Sequence, residues 1–310
     1  MFWWILVFII LFLLISIFVT AYVSYRIAFY SSYEKRKQSY QSGPPQADIY
    51  RLYQDIMNRM IHEVSQIPSR EVSIQSYDGL ILRGKFYEYK PGAPIELMIH
   101  GYRGNSERDM SIGVLRAFRQ GRSALLVDQR GCGHSEGNHI CFGIKEHRDC
   151  LSWVNFIIKN YGSDSQIILT GISMGAATVL MAAGKPLPPN VIGVIADCGY
   201  STPREIIQKF IKQIKLPVKI IYPFVRIGAR LFAGFRVESY SPMMAMETCK
   251  VPVFFIHGDN DKFVPCDMSR AMYQACSSRK KLVTVPGAGH GLSYLVDPEL
   301  YCAALKEFYP

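Results

Sequence analysis

The sequence predicts an α/β fold with a mostly parallel, eight-stranded sheet and helices on both faces. Strand-like and helix-like segments alternate from Glu71 onward, and most of the later strand-like runs are continuously apolar. Strands that crossover helices bury on both faces have this unbroken apolar pattern. The first two runs meet at Asp78-Gly79, which is typical of an edge hairpin. The expected strands are residues 71–76, 80–89, 95–100, 123–128, 166–171, 191–197, 251–257 and 281–286.

Residues 1–25 are predicted to form a membrane anchor. No residue from Phe2 to Val23 is charged, and a helix of this length rises about 33 Å, enough to cross a hydrocarbon core of about 30 Å. A cleaved signal peptide would have a basic start, a shorter apolar core and a small-x-small cleavage site, none of which is present. Four basic residues follow, so a single-pass anchor with a cytoplasmic domain is expected. They are Arg26, Lys35, Arg36 and Lys37.

The composition suits one large domain behind this anchor. The chain has 310 residues, of which 49% are hydrophobic and 19% charged, enough to bury a single core. Residues 26–47 are expected to be a juxtamembrane tether, and residues 48–310 the domain, which opens with an amphipathic helix starting at Asp48. The eight cysteines lack the spacing of a disulfide framework and are expected to be reduced and mostly buried.

About fifty residues separate the strand ending at Asp197 from the strand starting at Val251, far more than a usual crossover needs. This insertion, about residues 201–247, is predicted to be a small helical lid. Eight basic residues and one acidic residue lie between Arg204 and Arg236, within a chain of net charge +10. No nucleic-acid-reading motif accompanies the charge, so nucleic acid is not expected as a partner. The lid either docks on an anionic membrane or is a solvated basic face.

The sequence GISMG at 171–175 follows an apolar strand and opens a helix. This is the strand–turn–helix context of a G-x-S-x-G nucleophile elbow. A Cβ at either flanking position would collide across so sharp a turn, which explains both glycines. Ser173 is therefore the candidate nucleophile.

A serine hydroxyl needs a base to accept its proton, and that base needs an acid to hold its tautomer. In the order serine, acid, histidine, the candidate base is His290, which follows the last predicted strand within Gly-Ala-Gly-His-Gly. Asp261 is the preferred acid, with Asp259 and Asp197 as alternatives, since all three lie at or just after the end of a predicted strand. An aspartate in such a loop more often caps a turn.

The oxyanion of an acyl-transfer reaction needs two backbone N–H donors. The residue after the nucleophile, Met174, is expected to supply one, and Tyr102, in the loop after an earlier strand, the other. His100 in the same loop is expected to be a structural hydrogen-bonding residue.

A further cluster of potential metal ligands could be interpreted as a zinc site. Its members are Cys132, His134, His139 and Cys141. Its spacing matches no common zinc finger, and a tight turn stabilised by Asp128 and Arg130 is the favoured interpretation. No metal and no cofactor are therefore expected.

The segments HGYRGN, DQRGCGHSEG, GISMG, HGDNDKFVP and GAGH occur in this order. Together they resemble the membrane-anchored α/β hydrolases, over roughly residues 66–310. The resemblance implies the α/β-hydrolase fold and an esterase- or lipase-like serine hydrolase, and it supports Asp261 as the acid. The same pattern is shared with prolyl-oligopeptidase-type peptidases, although this chain has no room for a propeller.

The expected activity is hydrolysis of a carboxylic ester or thioester, from a small acyl-ester or lipid-like substrate, through an acyl-enzyme on Ser173. A serine peptidase or amidase of the same fold and a non-catalytic scaffold are the alternatives. The physiological substrate, acyl chain length and oligomeric state do not follow from the motifs.

Overall fold

The computed structural model describes residues 2–34, 36 and 48–309 and contains one eight-stranded sheet. Its strands are β1 (Ser69–Gln75), β2 (Ile81–Tyr87), β3 (Ile95–Ile99), β4 (Ser123–Val127), β5 (Ile167–Ile172), β6 (Val191–Asp197), β7 (Val253–Gly258) and β8 (Lys280–Val285). The spatial order is β1-β2-β4-β3-β5-β6-β7-β8. β2 pairs antiparallel with β1 and β4, and the other neighbours are parallel. The predicted mostly parallel sheet with an edge hairpin is confirmed.

Helices cover both faces of this sheet. They are α1 (Phe2–Ala28), α2 (Gln54–Ser65), α3 (Ser106–Arg119), α4 (Glu146–Tyr161), α5 (Met174–Ala183), α6 (Pro203–Gln213), α7 (Val218–Phe232), α8 (Pro242–Met246), α9 (Cys266–Ala275), α10 (Ser293–Val296) and α11 (Pro298–Phe308). The predicted helix at Asp48 begins as a 3-10 turn, Asp48–Tyr53, that leads into α2.

Successive side chains of the central strands enter two separate cores. Leu125 of β4 packs in a cluster with Trp153 of α4, whereas Leu126 packs with Val114 of α3. All four side chains are almost completely buried. Because the side chains of a strand alternate between its faces, burial of consecutive residues requires helices on both sides. This explains the unbroken apolar runs in the sequence.

The N-terminal helix α1 is long and apolar enough to be a candidate membrane span, on its length and composition. Its 27 residues correspond to a rise of about 40 Å. Most side chains before Thr20 are exposed, whereas Ala21, Ser24 and Tyr25 are buried against the rest of the chain. The helix therefore has a free apolar part and a packed C-terminal part.

The packed part of α1 lies against α7. The Phe232 ring contacts the rings of Phe18, Tyr22 and Tyr25, with centroids 5.3–5.4 Å apart. A Cβ at Gly228 would collide with the Ala21 carbonyl oxygen and lie 3.0 Å from the Tyr25 Cβ. The absence of a side chain at Gly228 thus allows the two helices to approach closely.

Replacing Gly228 with leucine is expected to force α1 and α7 apart. Overpacking of this kind costs about 1–3 kcal/mol of the free energy of unfolding. Thermal unfolding of the full chain in a neutral detergent measures the effect, with Lys219→Leu on the exposed face of α7 as the control. Equal melting temperatures for Gly228→Leu and the control would contradict the packing described here.

The chain leaving α1 stays on the domain, although the sequence predicts a tether over residues 26–47. Phe29 is fully buried. Its carbonyl accepts from the Ile140 amide at 2.8 Å, and the Ser31 amide donates to the Asn138 carbonyl at 2.9 Å. The first part of the predicted tether is therefore the end of helix α1 and a segment that packs on the domain. Backbone hydrogen bonds and the buried Phe29 side chain hold this segment in place. Residues 35 and 37–47 of that prediction lie outside the described residues.

Candidate active site

Ser173 lies at the sharp turn between β5 and α5. Its backbone has φ 56° and ψ −117°, a conformation that non-glycine residues rarely adopt. A Cβ on Gly171 would collide with the Gly175 carbonyl, and a Cβ on Gly175 would collide with the Ile99 carbonyl. Both glycines of the motif are thus required by backbone contacts. The turn projects the serine side chain at the carboxyl edge of the sheet.

The structure brings three of the predicted site residues into one hydrogen-bonded chain. The Ser173 Oγ lies 2.9 Å from the His290 Nε2, and the His290 Nδ1 lies 2.6 Å from the Asp261 Oδ2. All three residues are less than a tenth exposed. Since the carboxylate accepts the Nδ1 proton, Nε2 is left to accept the serine proton.

Asp261 is held in its ionised form. Burial by itself raises the pKa of this carboxyl, but hydrogen bonds from His257 and His290 outweigh burial and bring it well below its usual range. Its Oδ1 also accepts from the amides of Phe263 and Val264, both at 2.8 Å. A carboxylate with this many donors stays charged at neutral pH and fixes the orientation of the His290 ring.

The two alternative acids have other partners. The Asp259 Oδ1 accepts from the Gly287 amide at 2.7 Å and so caps a turn. Asp197 is buried and accepts from the Ser293 hydroxyl at 3.2 Å, and burial raises its pKa to about 6. Of the three aspartates, Asp261 is the one that the structure places in hydrogen-bond contact with His290.

His257, at the end of β7, was not among the predicted site residues. Its Nδ1 lies 2.7 Å from the Ser269 Oγ, and its Nε2 lies 2.9 Å from the Val264 carbonyl and 3.2 Å from the Asp261 Oδ2. A carbonyl only accepts, so Nε2 carries the proton and Nδ1 accepts from the serine hydroxyl. This buried ring therefore contacts the same carboxylate oxygen, Asp261 Oδ2, as His290 does and helps to hold it. Its place four residues before Asp261 in HGDND is the only signal of this in the sequence.

The two predicted oxyanion donors both belong to segments next to Ser173. Met174 is the first residue of α5, and Tyr102 lies in the loop after β3. A Cβ on Gly101 would lie 3.5 Å from the Ser173 Cβ, so this loop packs directly on the elbow. The buried His100 ring fixes the loop, because its Nδ1 lies 2.7 Å from the Gly101 carbonyl and its Nε2 accepts from the Gln129 amide. His100 thus has the structural role that the sequence predicts.

The same loop is fastened to α1. The Tyr102 hydroxyl donates to the Ala28 carbonyl at 2.8 Å, and the Arg103 guanidinium donates to the Ile27 carbonyl at 2.7 Å. The last carbonyls of a helix have no partner within the helix. Here the loop that carries a predicted oxyanion donor satisfies two of them, so the candidate anchor and the site are in direct contact.

A cavity of about 330 Å³ opens beside Ser173 and His290. Its apolar and aromatic walls include Tyr50, Met57, Ile112, Ile172, Phe263 and Leu295. Two basic residues also line it, but Arg108 pairs with Asp109 at 2.6 Å and Arg116 pairs with buried Glu96 at 2.5 Å. The apolar walls of the cavity are therefore suited to a largely apolar group.

The roof of this cavity differs from the predicted lid. Tyr50 and Met57 come from the segment before β1, and burial raises the pKa of the Tyr50 phenol. The insertion at 201–247 contributes no lining residue among those described. Its α7 packs instead along α1. Its α6 approaches the site, where Lys209 donates to the Lys262 and Phe263 carbonyls.

The donor atoms of Cys198, Asp261 and His290 lie within 4.8 Å of one another, close enough to be considered as a metal site. The carboxylate and the imidazole already bind each other, however, and burial raises the pKa of the Cys198 thiol well above its usual value. A protonated thiol is a poor metal ligand. The four residues singled out in the sequence near Cys132 are not brought together as a ligand cluster within the described part of the chain.

Residues 97–234 match a family model described as the alpha/beta hydrolase fold. The esterase Pf2001 of Pyrococcus furiosus superposes with a TM-score of 0.64 at 23% identity, covering 86% of this chain and 96% of that one. The acylaminoacyl peptidase of Pyrococcus horikoshii superposes with a TM-score of 0.57 at 17% identity, covering 80% of this chain and 42% of that one. The chain therefore has the α/β-hydrolase fold, and the predicted resemblance is confirmed at the level of this fold.

Two relatives are similar to the chain over only part of its length. The uncharacterised protein YqkD of Bacillus subtilis is 27% identical over 190 residues, which are 61% of this chain and 62% of that protein. The match thus spans less than two thirds of that relative. The thiohydrolase apmlB of Arthrinium phaeospermum is 31% identical over 141 residues, 44% of each protein. The similarity of the chain is accordingly to esterase- and thiohydrolase-like α/β hydrolases.

Proposed function

We propose that this protein is a membrane-anchored serine hydrolase that cleaves carboxylic esters or thioesters through an acyl-enzyme on Ser173. The observation that carries the proposal is the continuous hydrogen-bonded chain from Ser173 through His290 to Asp261, opening on an apolar cavity. A non-catalytic scaffold would need none of these contacts.

The proposed reaction uses these contacts in two steps. His290 Nε2 accepts the hydroxyl proton as the Ser173 Oγ attacks the carbonyl carbon, and Asp261 stabilises the resulting imidazolium. The amides of Tyr102 and Met174 donate to the oxyanion. His290 then protonates the leaving alcohol or thiol, and the same ring activates a water molecule that hydrolyses the acyl-enzyme.

The proposed substrate is a small acyl ester or a lipid-like ester. Ligand pockets commonly measure about 300–1,000 Å³, so a cavity of about 330 Å³ is small. The esterase and thiohydrolase names of similar proteins support both kinds of leaving group. The likeness to a peptidase makes amides the alternative, which amide substrates test directly.

The proposed location is a membrane, with the domain on the cytoplasmic side. The exposed apolar part of α1 supports insertion, because eighteen or more such residues gain from leaving water. The basic residues that follow the span support the cytoplasmic orientation.

A series of p-nitrophenyl esters from acetate to dodecanoate tests the function, with matched thioesters and anilides. We expect turnover of esters and thioesters with an optimum at a short or medium chain. Removing the Tyr50 side chain from the cavity roof is expected to move this optimum to longer chains. Each methylene newly accommodated adds about 0.8 kcal/mol of binding, roughly fourfold in kcat/KM.

The control for this substitution is Leu52→Ala, because Leu52 belongs to the same 3-10 turn but is 91% exposed. It is expected to retain the wild-type profile. An unchanged optimum in Tyr50→Ala would contradict the assignment of this cavity to the acyl chain, and faster anilide than ester hydrolysis would favour the amidase.

A further inference from the structure

A second cavity, of about 810 Å³, lies at the C-terminal end of α7, away from the candidate active site. Three arginines line it, namely Arg226 and Arg230 of α7 and Arg236 of the segment that follows. Arg226 and Arg230 are four residues apart and so share one face of the helix. We call this surface, with Glu238 as its acidic wall residue, the arginine cleft.

The positive charge of the arginine cleft is only partly compensated. Glu238 pairs with Arg226 at 3.4 Å and also with Arg204 at 3.8 Å, so one carboxylate serves two guanidinium groups. Arg230 and Arg236 form no ion pair within the described part of the chain, and both are exposed. Guanidinium groups bind phosphate oxygens through paired hydrogen bonds. The chemistry of the cleft therefore favours a phosphate group.

The height of the arginine cleft relative to α1 indicates that a bound phosphate would belong to a lipid headgroup. Tyr22 lies twenty residues beyond Phe2, a rise of about 30 Å, which equals the thickness of a hydrocarbon core. Phe232, at the end of α7, contacts Phe18 and Tyr22. Aromatic rings at this level are typical of a membrane–water interface.

The arginines lie just beyond that level, on the side away from the hydrocarbon. Gly228 packs against Ala21 and Tyr25, so α7 runs antiparallel to α1. Arg226 and Arg230 flank Gly228 by two residues on each side and therefore lie at the height of headgroups. Leu231, at the same end of α7, is 60% exposed and is available to the interface.

We propose that the arginine cleft binds the phosphate of an anionic membrane phospholipid. The proposal rests on the proposed insertion of α1 in a membrane and not on the proposed catalysis. A bound headgroup would add a second attachment point beside α1 and so fix how the domain is oriented on the bilayer.

The test uses the full chain in nanodiscs of phosphatidylcholine with an increasing fraction of phosphatidylglycerol. Thermal unfolding reports stabilisation by bound lipid, and native mass spectrometry from neutral detergent counts the phosphatidylglycerol molecules retained. The triple variant Arg226→Gln, Arg230→Gln, Arg236→Gln is compared with Lys212→Gln, Lys215→Gln, Lys219→Gln, which removes the same charge from exposed positions elsewhere in the insertion.

Phosphatidylglycerol is expected to raise the melting temperature of the wild type and the lysine variant but not of the arginine variant. The affinity should fall roughly fivefold for each arginine removed. If the arginine and lysine variants lose the same amount of affinity for phosphatidylglycerol, the attraction is spread over the insertion, and the proposal is overturned. An equal shift with inorganic phosphate would indicate a free-anion site and also overturn it.

Two further measurements cover a triple variant that does not fold and a helix α1 that does not insert. If the triple variant does not fold, Arg230→Gln and Arg236→Gln are measured singly, since neither breaks an ion pair of the described structure. Flotation with pure phosphatidylcholine vesicles tests insertion of α1 separately. Failure of flotation would reject the membrane anchor, whereas lipid counts in detergent still decide whether the cleft binds phosphatidylglycerol.

Discussion

Ser173→Ala is expected to lower kcat for ester hydrolysis by about 10⁴- to 10⁶-fold, which leaves only the contribution of binding and the oxyanion donors. The reason is that the substitution removes the atom that attacks the carbonyl carbon in the proposed mechanism. The Ser173 side chain bonds to His290 alone among the described residues, so the fold should persist. Initial rates with a p-nitrophenyl ester, together with thermal unfolding, measure the two effects.

The matched control is Ser152→Ala, which removes an exposed hydroxyl of α4 that donates to the Arg148 carbonyl. Its rate should equal that of the wild type. Residual activity of Ser173→Ala within tenfold of the wild type would mean that another group forms the acyl intermediate or that no such intermediate exists.

Asp261→Asn is expected to lower kcat by about 10⁴-fold. An amide cannot stabilise the imidazolium, and it favours the wrong tautomer of His290. Asp259→Asn and Asp197→Asn are the natural comparisons, since neither aspartate bonds to His290 in the described structure. Both should retain activity within tenfold of the wild type. A larger loss in either of them than in Asp261→Asn would reassign the acid.

The same substitution has a pH-dependent effect on stability. The pKa of Asp261 is lowered in the folded state. Its ionised form therefore stabilises the fold at pH values above about 4, the pKa of an unfolded aspartate, and this contribution is lost as the pH falls further. Asp261→Asn should accordingly destabilise the protein at neutral pH and progressively less in acid.

Features that depend on local sequence are the ones that the sequence predicts well. The buried strands follow from unbroken apolar runs, and the elbow follows from two glycines whose Cβ atoms would strike backbone carbonyls. Ser173 and His290 are also predicted from local sequence, because each occupies a defined place after a strand. The choice among Asp261, Asp259 and Asp197 is different. All three lie at or just after the end of a strand, and only the three-dimensional path of the loops brings one of them to the imidazole.

Features that depend on which surfaces meet could not be predicted in this way. The length of the insertion at about residues 201–247 suggested a lid, but length does not identify the surface that a helix contacts, and α7 packs on α1 through Gly228. The cavity roof comes from Tyr50, whose neighbour Leu52 is exposed in the same short turn. The His257 side chain contacts Asp261 directly, because the loop after β7 folds back on the end of that strand. The sequence spacing of the two residues does not predict this path.

The most direct test of the central claim is labelling of the full chain with a fluorophosphonate, followed by intact mass and peptide mapping. This reagent reacts with an accessible serine that is activated by a neighbouring base. Ser269 also donates to a histidine, His257, but it is 1% exposed and does not line the cavity. We predict one adduct, on Ser173, with none on Ser173→Ala and almost none on Asp261→Asn. A folded wild-type protein that takes up no label, or that is labelled equally after Ser173→Ala, would contradict the proposed serine hydrolase.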